Sequence, residues 1–192
     1  MNIKKLIAVG SAVMCIMSGT ALASSVSGVV RLNVNTGLTR MEGVNQGGMG
    51  VAIGGTGGKG ESRVSRVELI QKGIDFDRVP ANAIDDWYQF GKQPEGIPVF
   101  IVDTDETGHY EIKDVPAGEY YMVVVAPRIG DGMADLTRTN AGYNLSKYLP
   151  NWESFAMFTG GMQSCVVREV TVSDDKDVTL DHDFSGNPFA EK

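Results

Sequence analysis

Thr104-Asp105-Glu106-Thr107-Gly108-His109-Tyr110-Glu111-Ile112-Lys113-Asp114-Val115-Pro116-Ala117-Gly118-Glu119-Tyr120-Tyr121 reads as turn, strand, turn and the start of a second strand. Gly108 supplies the freedom a tight turn needs. Pro116 presets φ for the second turn, and Gly118 can take a positive φ before the chain extends again. The following run, Tyr120-Tyr121-Met122-Val123-Val124-Val125, is apolar on both faces, which is the pattern of a central strand.

Working outward, similar strand chemistry recurs at residues 26–33, 64–71, 97–103, 166–172 and 178–184, giving seven candidate strands with 110–115 and 120–126. In the first two, β-branched residues alternate with polar ones. In the last, Val178, Leu180 and Phe184 share one face and Thr179, Asp181 and Asp183 the other, as expected of a half-solvated antiparallel strand. Turn-forming residues separate the strands and no long amphipathic helix does, so parallel βαβ units are not expected. The expected class is all-β, a seven-stranded antiparallel sandwich.

Three insertions interrupt it. Residues 43–60 are rich in glycine and should be costly to order. Residues 72–96 contain Pro80, then Ile84, Trp87 and Tyr88 at helical spacing, then Gly91, which predicts one short helix lying on the sandwich. Residues 127–161 should hold a short helix ending before Pro150.

The N-terminus reads as an address. Lys4 and Lys5 precede an apolar stretch, residues 6–17, and Ala21-Leu22-Ala23 forms a small-x-small cleavage site. Residues 1–23 are therefore expected to be a signal peptide, leaving a single domain over 24–192 in the periplasm or outside the cell. The apolar stretch is shorter than the roughly 20 residues of a spanning helix, so no membrane span is expected after cleavage. Cys15 lacks the small residue that a lipoprotein signal places before its cysteine. Cys165 is the single cysteine beyond the leader, so no intramolecular disulfide can form. The chain of 192 residues carries 24 acidic against 17 basic side chains, a formal charge of −7. With no basic stripe to displace counterions from phosphates, nucleic acid is not an expected partner.

The stretch quoted first resembles the hairpin of carboxypeptidase regulatory-like domains: an acidic turn with glycine, an aromatic strand, then proline-small-glycine leading into tyrosine and an apolar strand. Ser27-Gly28-Val29-Val30, Val67-Glu68-Leu69, Tyr148-Leu149-Pro150, Val170-Thr171-Val172 and Leu180-Asp181 extend the resemblance, while the three insertions stay unmatched. It implies a transthyretin-like (prealbumin-like) sandwich, an accessory module without catalysis, and kinship with sandwiches called carbohydrate-binding-like.

Several candidate sites compete with structural readings. Asp103, Asp105 and Asp114 fall at EF-hand loop positions 1, 3 and 12, so oxygen ligands for calcium are conceivable; strands flank them, however, and an acidic turn explains the same residues. Gly58-Lys59 lacks the spacing of a phosphate-binding loop, with Ile53 and Gly60 at the required Gly and Ser/Thr positions. His109 and His182 are the only histidines, too few for a usual catalytic zinc site. No G-x-S-x-G elbow occurs, and Gly161-Met162-Gln163-Ser164-Cys165 is not one. The terminal Asn187-Pro188-Phe189-Ala190-Glu191-Lys192 lacks the Tyr-Arg-Gly-Ser signature of hydroxyisourate hydrolases, and the His-x-His element of intradiol dioxygenases is missing. Arg31 stands where an isopeptide crosslink would want lysine. An enzyme using His109 with the acidic turn is the outlying alternative.

The remaining feature is aromatic: Trp87, Tyr88 and Phe90 in one insertion, and Tyr143, Tyr148, Trp152, Phe155 and Phe158 in the other. Such rings either fasten the insertions to the sandwich or stack on sugars. Of these, Trp87, Tyr88, Tyr148 and Trp152 are the expected glycan contacts. The leading expectation is a non-catalytic secreted or periplasmic module for cell-envelope structure or for binding a protein or polysaccharide of the envelope, and the alternative a carbohydrate-binding protein using the aromatic insertions.

Overall fold

A computed structural model describes residues 24–31, 64–174 and 176–184, the side chains of residues 128 and 129 excepted. The predicted leader at 1–23, the glycine-rich insertion at 43–60 and the terminal 187–192 lie outside the described residues.

Among the described residues eight strands form two sheets: β1 (Ser24–Arg31), β2 (Arg66–Gln71), β3 (Val99–Asp103), β4 (His109–Val115), β5 (Gly118–Ile129), β6 (Gln163–Val172), β7 (Val178–Thr179) and β8 (His182–Asp183). The first sheet runs β4-β1-β7, with β8 also on β1; the second runs β3-β2-β5-β6 and is antiparallel throughout. They pack face to face. Val26, Val30, Tyr110, Ile112 and Val115 from the first meet Val67, Leu69, Tyr120, Met122, Val124, Val170 and Val172 from the second. β5 is central, as its two-sided apolar run predicts. Its even positions fill the sandwich core, while Tyr121, Val123 and Val125 face the other way.

That other face is covered by helices, so the chain is mainly β with helical insertions and not purely all-β. The cover consists of α1 (Ala81–Phe90), α2 (Met133–Thr137), α3 (Asn140–Tyr148) and α4 (Trp152–Phe155), which continues into a π-helical turn at Ala156–Gly160. Pro80 precedes α1, and Gly91 closes it at φ 61, its N–H donating to the Trp87 carbonyl at 2.8 Å. Thr139 caps α3 by accepting the Gly142 N–H at 3.0 Å. That helix stops at Tyr148, where Leu149 takes an extended conformation ahead of Pro150. Both predicted helices are present. α2, α4 and the π-helical turn carry no comparable periodic signal.

Two further expectations need correction. The stretch 104–121 is not a hairpin, because β3 and β5 belong to one sheet and β4, between them, to the other. Each turn therefore carries the chain across the sandwich. Gly108 fits the first crossing: at φ 88 a Cβ there would lie 2.3 Å from the Val30 carbonyl oxygen. The final strand is also not one antiparallel strand. It breaks at Leu180-Asp181 into β7 and β8, both parallel to β1. At the break Leu180 N–H donates to the Ser27 carbonyl, while Asp181 Oδ1 accepts the Val29 N–H at 3.0 Å. The predicted alternation nevertheless holds, with Thr179, Asp181 and Asp183 exposed and Phe184 buried.

Candidate functional site

The four rings expected to contact glycan have different surroundings. Trp87 and Tyr88 project from α1 into the layer between helices and sheet, at 0% and 1% exposure. They stack edge to face on each other at 4.9 Å and on Phe155 at 5.9 and 5.1 Å. The Trp87 indole donates to Glu68, and the Tyr88 hydroxyl donates to the Pro150 carbonyl at 2.9 Å, tying α1 to the end of α3. In this arrangement both rings fasten the insertions and present no face to a ligand. Tyr148 is half-buried and its hydroxyl is fully used, accepting from Ile74 N–H at 2.6 Å and donating to the Gln71 carbonyl at 3.0 Å. Trp152 is half-buried at the start of α4, its ring 5.6 Å from Phe155.

An accessible aromatic lies nearby on α3. Gly142 and Leu145 point that helix inward, which turns Tyr143, Asn144 and Lys147 outward. Tyr143 is 53% exposed, with Lys147 Nζ 4.0 Å from its ring centroid. Beside it Asn144 donates to Glu169 on β6 at 3.4 Å, and Lys72 donates to the other Glu169 oxygen at 2.9 Å. Lys72 also lies 3.5 Å from Glu119 and 4.9 Å from the Tyr121 ring centroid. The hydrogen bond between them raises the Lys72 pKa and lowers that of Glu169, so both stay charged across the neutral range. The result is a shelf with one open ring, two carboxylates, two ammonium groups and an amide. Sequence reading included Tyr143 among the aromatics but did not choose it. A helical projection of 140–148, setting Gly142 and Leu145 against Tyr143 and Lys147, is the signal that separates the open ring from the packed one.

The three carboxylates considered for calcium have individual roles. Asp105 Oδ1 accepts the backbone N–H groups of Thr107 and His109 at 2.8 and 2.9 Å and the Thr107 hydroxyl at 2.7 Å. These bonds, the Thr107 hydroxyl foremost, hold its pKa below the usual carboxylate range. Asp114 has φ 57 where the β1–β4 register shifts, placing it at a bulge. Asp103 lies 4.0 Å from Arg66 Nε. Among the described residues no three His, Cys, Asp or Glu side chains group so as to hold a metal ion. His182 is buried edge to face on Phe184 at 4.2 Å, and its Nδ1 is 2.9 Å from an Arg168 nitrogen. Cys165 is buried, and desolvation pushes its thiol up to about 12, with Asp135 and Glu68 adding to the shift; such a thiol is a poor nucleophile. Among the described residues no helix is long and apolar enough to cross a membrane.

Fold and shelf together define a two-sheet, sandwich-like protein with one sheet face covered by helices. No family model matches the chain, and no curated protein does. A solved structure from Pseudomonas aeruginosa, described as a "putative carbohydrate binding protein (PA1324)", is similar over 84% of this chain and 90% of that one, at 12% identity and a TM-score of 0.33. A likeness that loose carries no argument about function.

Proposed function

We propose that the protein is a non-catalytic binding module of the cell envelope or exterior, and that it binds carbohydrate on the α3 shelf. The observation that carries this reading is Tyr143: an exposed ring beside the linked polar groups of Asn144, Lys147, Glu169 and Lys72. A pyranose offers an apolar face for stacking and a rim of hydroxyls for such donors and acceptors. Trp152, half-exposed on the same helical layer, is a second stacking position. The leader-like residues 1–23 support the location.

The test is a calorimetric titration of the purified protein against a panel of envelope and dietary polysaccharides. One or more should bind saturably, and Tyr143→Ala should weaken that binding by at least about tenfold, the scale of one lost aromatic contact. Absence of binding to every glycan by a folded protein, or binding indifferent to both Tyr143→Ala and Trp152→Ala, overturns the reading.

A further inference from the structure

Glu68 lies on β2, between Ile101 of β3 and Val123 of β5, at the middle of the sheet beneath α1. It is completely buried. Its Oε2 accepts the Trp87 indole N–H at 3.0 Å, while Oε1 has no hydrogen-bond partner. The nearest cation, Arg66 on the same strand, stops 3.9 Å from Oε1. Its guanidinium is lodged against the end of α1, where a Cβ on Gly91 would lie 2.7 Å from Arg66 Cζ, and it also lies 4.0 Å from Asp103.

The groups that share this field come from each surrounding element. α1 brings the Trp87 N–H and the Tyr88 phenol, β3 the Asp103 carboxylate, β2 Arg66, and β6 the buried Cys165 thiol, which α2 approaches with Asp135. Arg66 is the cation that acts on Glu68, while Arg138 pairs with Asp135 at 3.1 Å. Desolvation outweighs Trp87 and Arg66 and lifts the carboxyl to about 7.

We propose that Glu68 is a charge-sensitive latch for α1: neutral, it lets the helix seat on the sheet, and ionised, it loosens that seating. An ionised carboxylate with one N–H bond is badly solvated. Its remedies are for Arg66 to close on Oε1, which withdraws the guanidinium from Gly91, or for water to enter beneath Trp87. Either disturbs the contact of α1 with the sheet. The disturbance has a route outward, because Trp87 touches Phe155 and Phe155 touches the half-exposed Trp152. The latch does not depend on the carbohydrate reading.

Hydrogen exchange of α1 amides between pH 5.5 and 8.5, expressed as protection factors relative to α3, tests the latch in the wild type and in Glu68→Gln. The wild type should lose about thirtyfold protection in α1 as pH rises from 5.5 to about 7, the effect of about 1.5 pH units of linkage, and change little above that. Glu68→Gln should be flat. An unchanged α1 in the wild type, or the same loss in the variant, overturns the proposal. Carboxyl carbon NMR of the wild type keeps the test decisive if the variant does not fold: a Glu carboxyl must titrate near neutrality, and titration of every one below pH 5.5 overturns it.

Discussion

The β3-β2-β5-β6 sheet has one face against the other sheet and one against the helices, made from alternate residues of the same strands. On the sandwich side, the tyrosine hydroxyls bond at the margins, Tyr110 to the Leu180 carbonyl and Tyr120 to the Pro116 carbonyl, both at 2.7 Å. On the helical side, the strand residues include Glu68, and both Glu68 Oε1 and Thr159 Oγ1 are buried without hydrogen-bond partners, as is Ser65 Oγ just ahead of β2. Strands closing on strands can match apolar to apolar by alternation alone. The helical cover must instead fill an irregular space with large rings, Trp87, Tyr88 and Phe155, while accommodating a carboxyl group. On the proposal above, the helical face carries a stability that responds to pH through Glu68.

The most direct way to break this contrast is to truncate a ring. Trp87→Ala removes a fully buried indole and the sole donor to Glu68, and should cost about 4 kcal/mol in urea denaturation, toward the upper range for large-to-small substitutions. If Met122→Ala on the sandwich side costs more, the helical face is not the more sensitive one. A smaller effect separates the faces by pH. Because folding raises the Glu68 pKa from 4.5 to about 7, the native state holds a proton that the unfolded chain has released between those values. Stability should therefore fall as pH rises from about 4.5 to 7, by about 3 kcal/mol in total, then level off. Asp105, Asp177 and Glu169, with lowered pKa values, act oppositely and only in acid. Chemical denaturation at stepped pH checks the sign, and Glu68→Gln should remove the slope. Smallest, Thr139→Ala should cost about 1 kcal/mol by uncapping α3, measured by thermal melting.

Much of the sandwich face was legible in the chain. Period-two alternation placed β1 and β2, strand-forming runs placed β3, β4 and β6, the two-sided run at 120–125 placed β5 in the centre, and Pro80 with Gly91 bracketed α1. Alternation reports which side of a strand a residue occupies, not which strand lies beside it. That is why 104–121 could be read as a hairpin although its turns cross between sheets, and why 178–184 gave no sign of pairing parallel to β1. The same limit concealed Glu68: a charged residue between Val67 and Leu69 reads as solvent-facing unless it is known that α1 covers that face. For the candidate site, the rings of the insertions were visible, but their fates differ by helical phase. Trp87 and Tyr88 face inward and Tyr143 outward, while Lys72 and Glu169 reach the shelf from positions 97 residues apart.

The parallel placement of β7 and β8 on β1 also sets an order of events during synthesis. β1 receives part of its hydrogen bonding from residues made about 150 positions later, with Ser25 N–H bonding Asp177 across 152 residues. Until that segment emerges, β4 is the partner β1 has among the described strands, and the other edge of β1 is open to neighbouring chains. A chain shortened before Val178 would keep that edge permanently, so the truncation should favour self-association over simple unfolding.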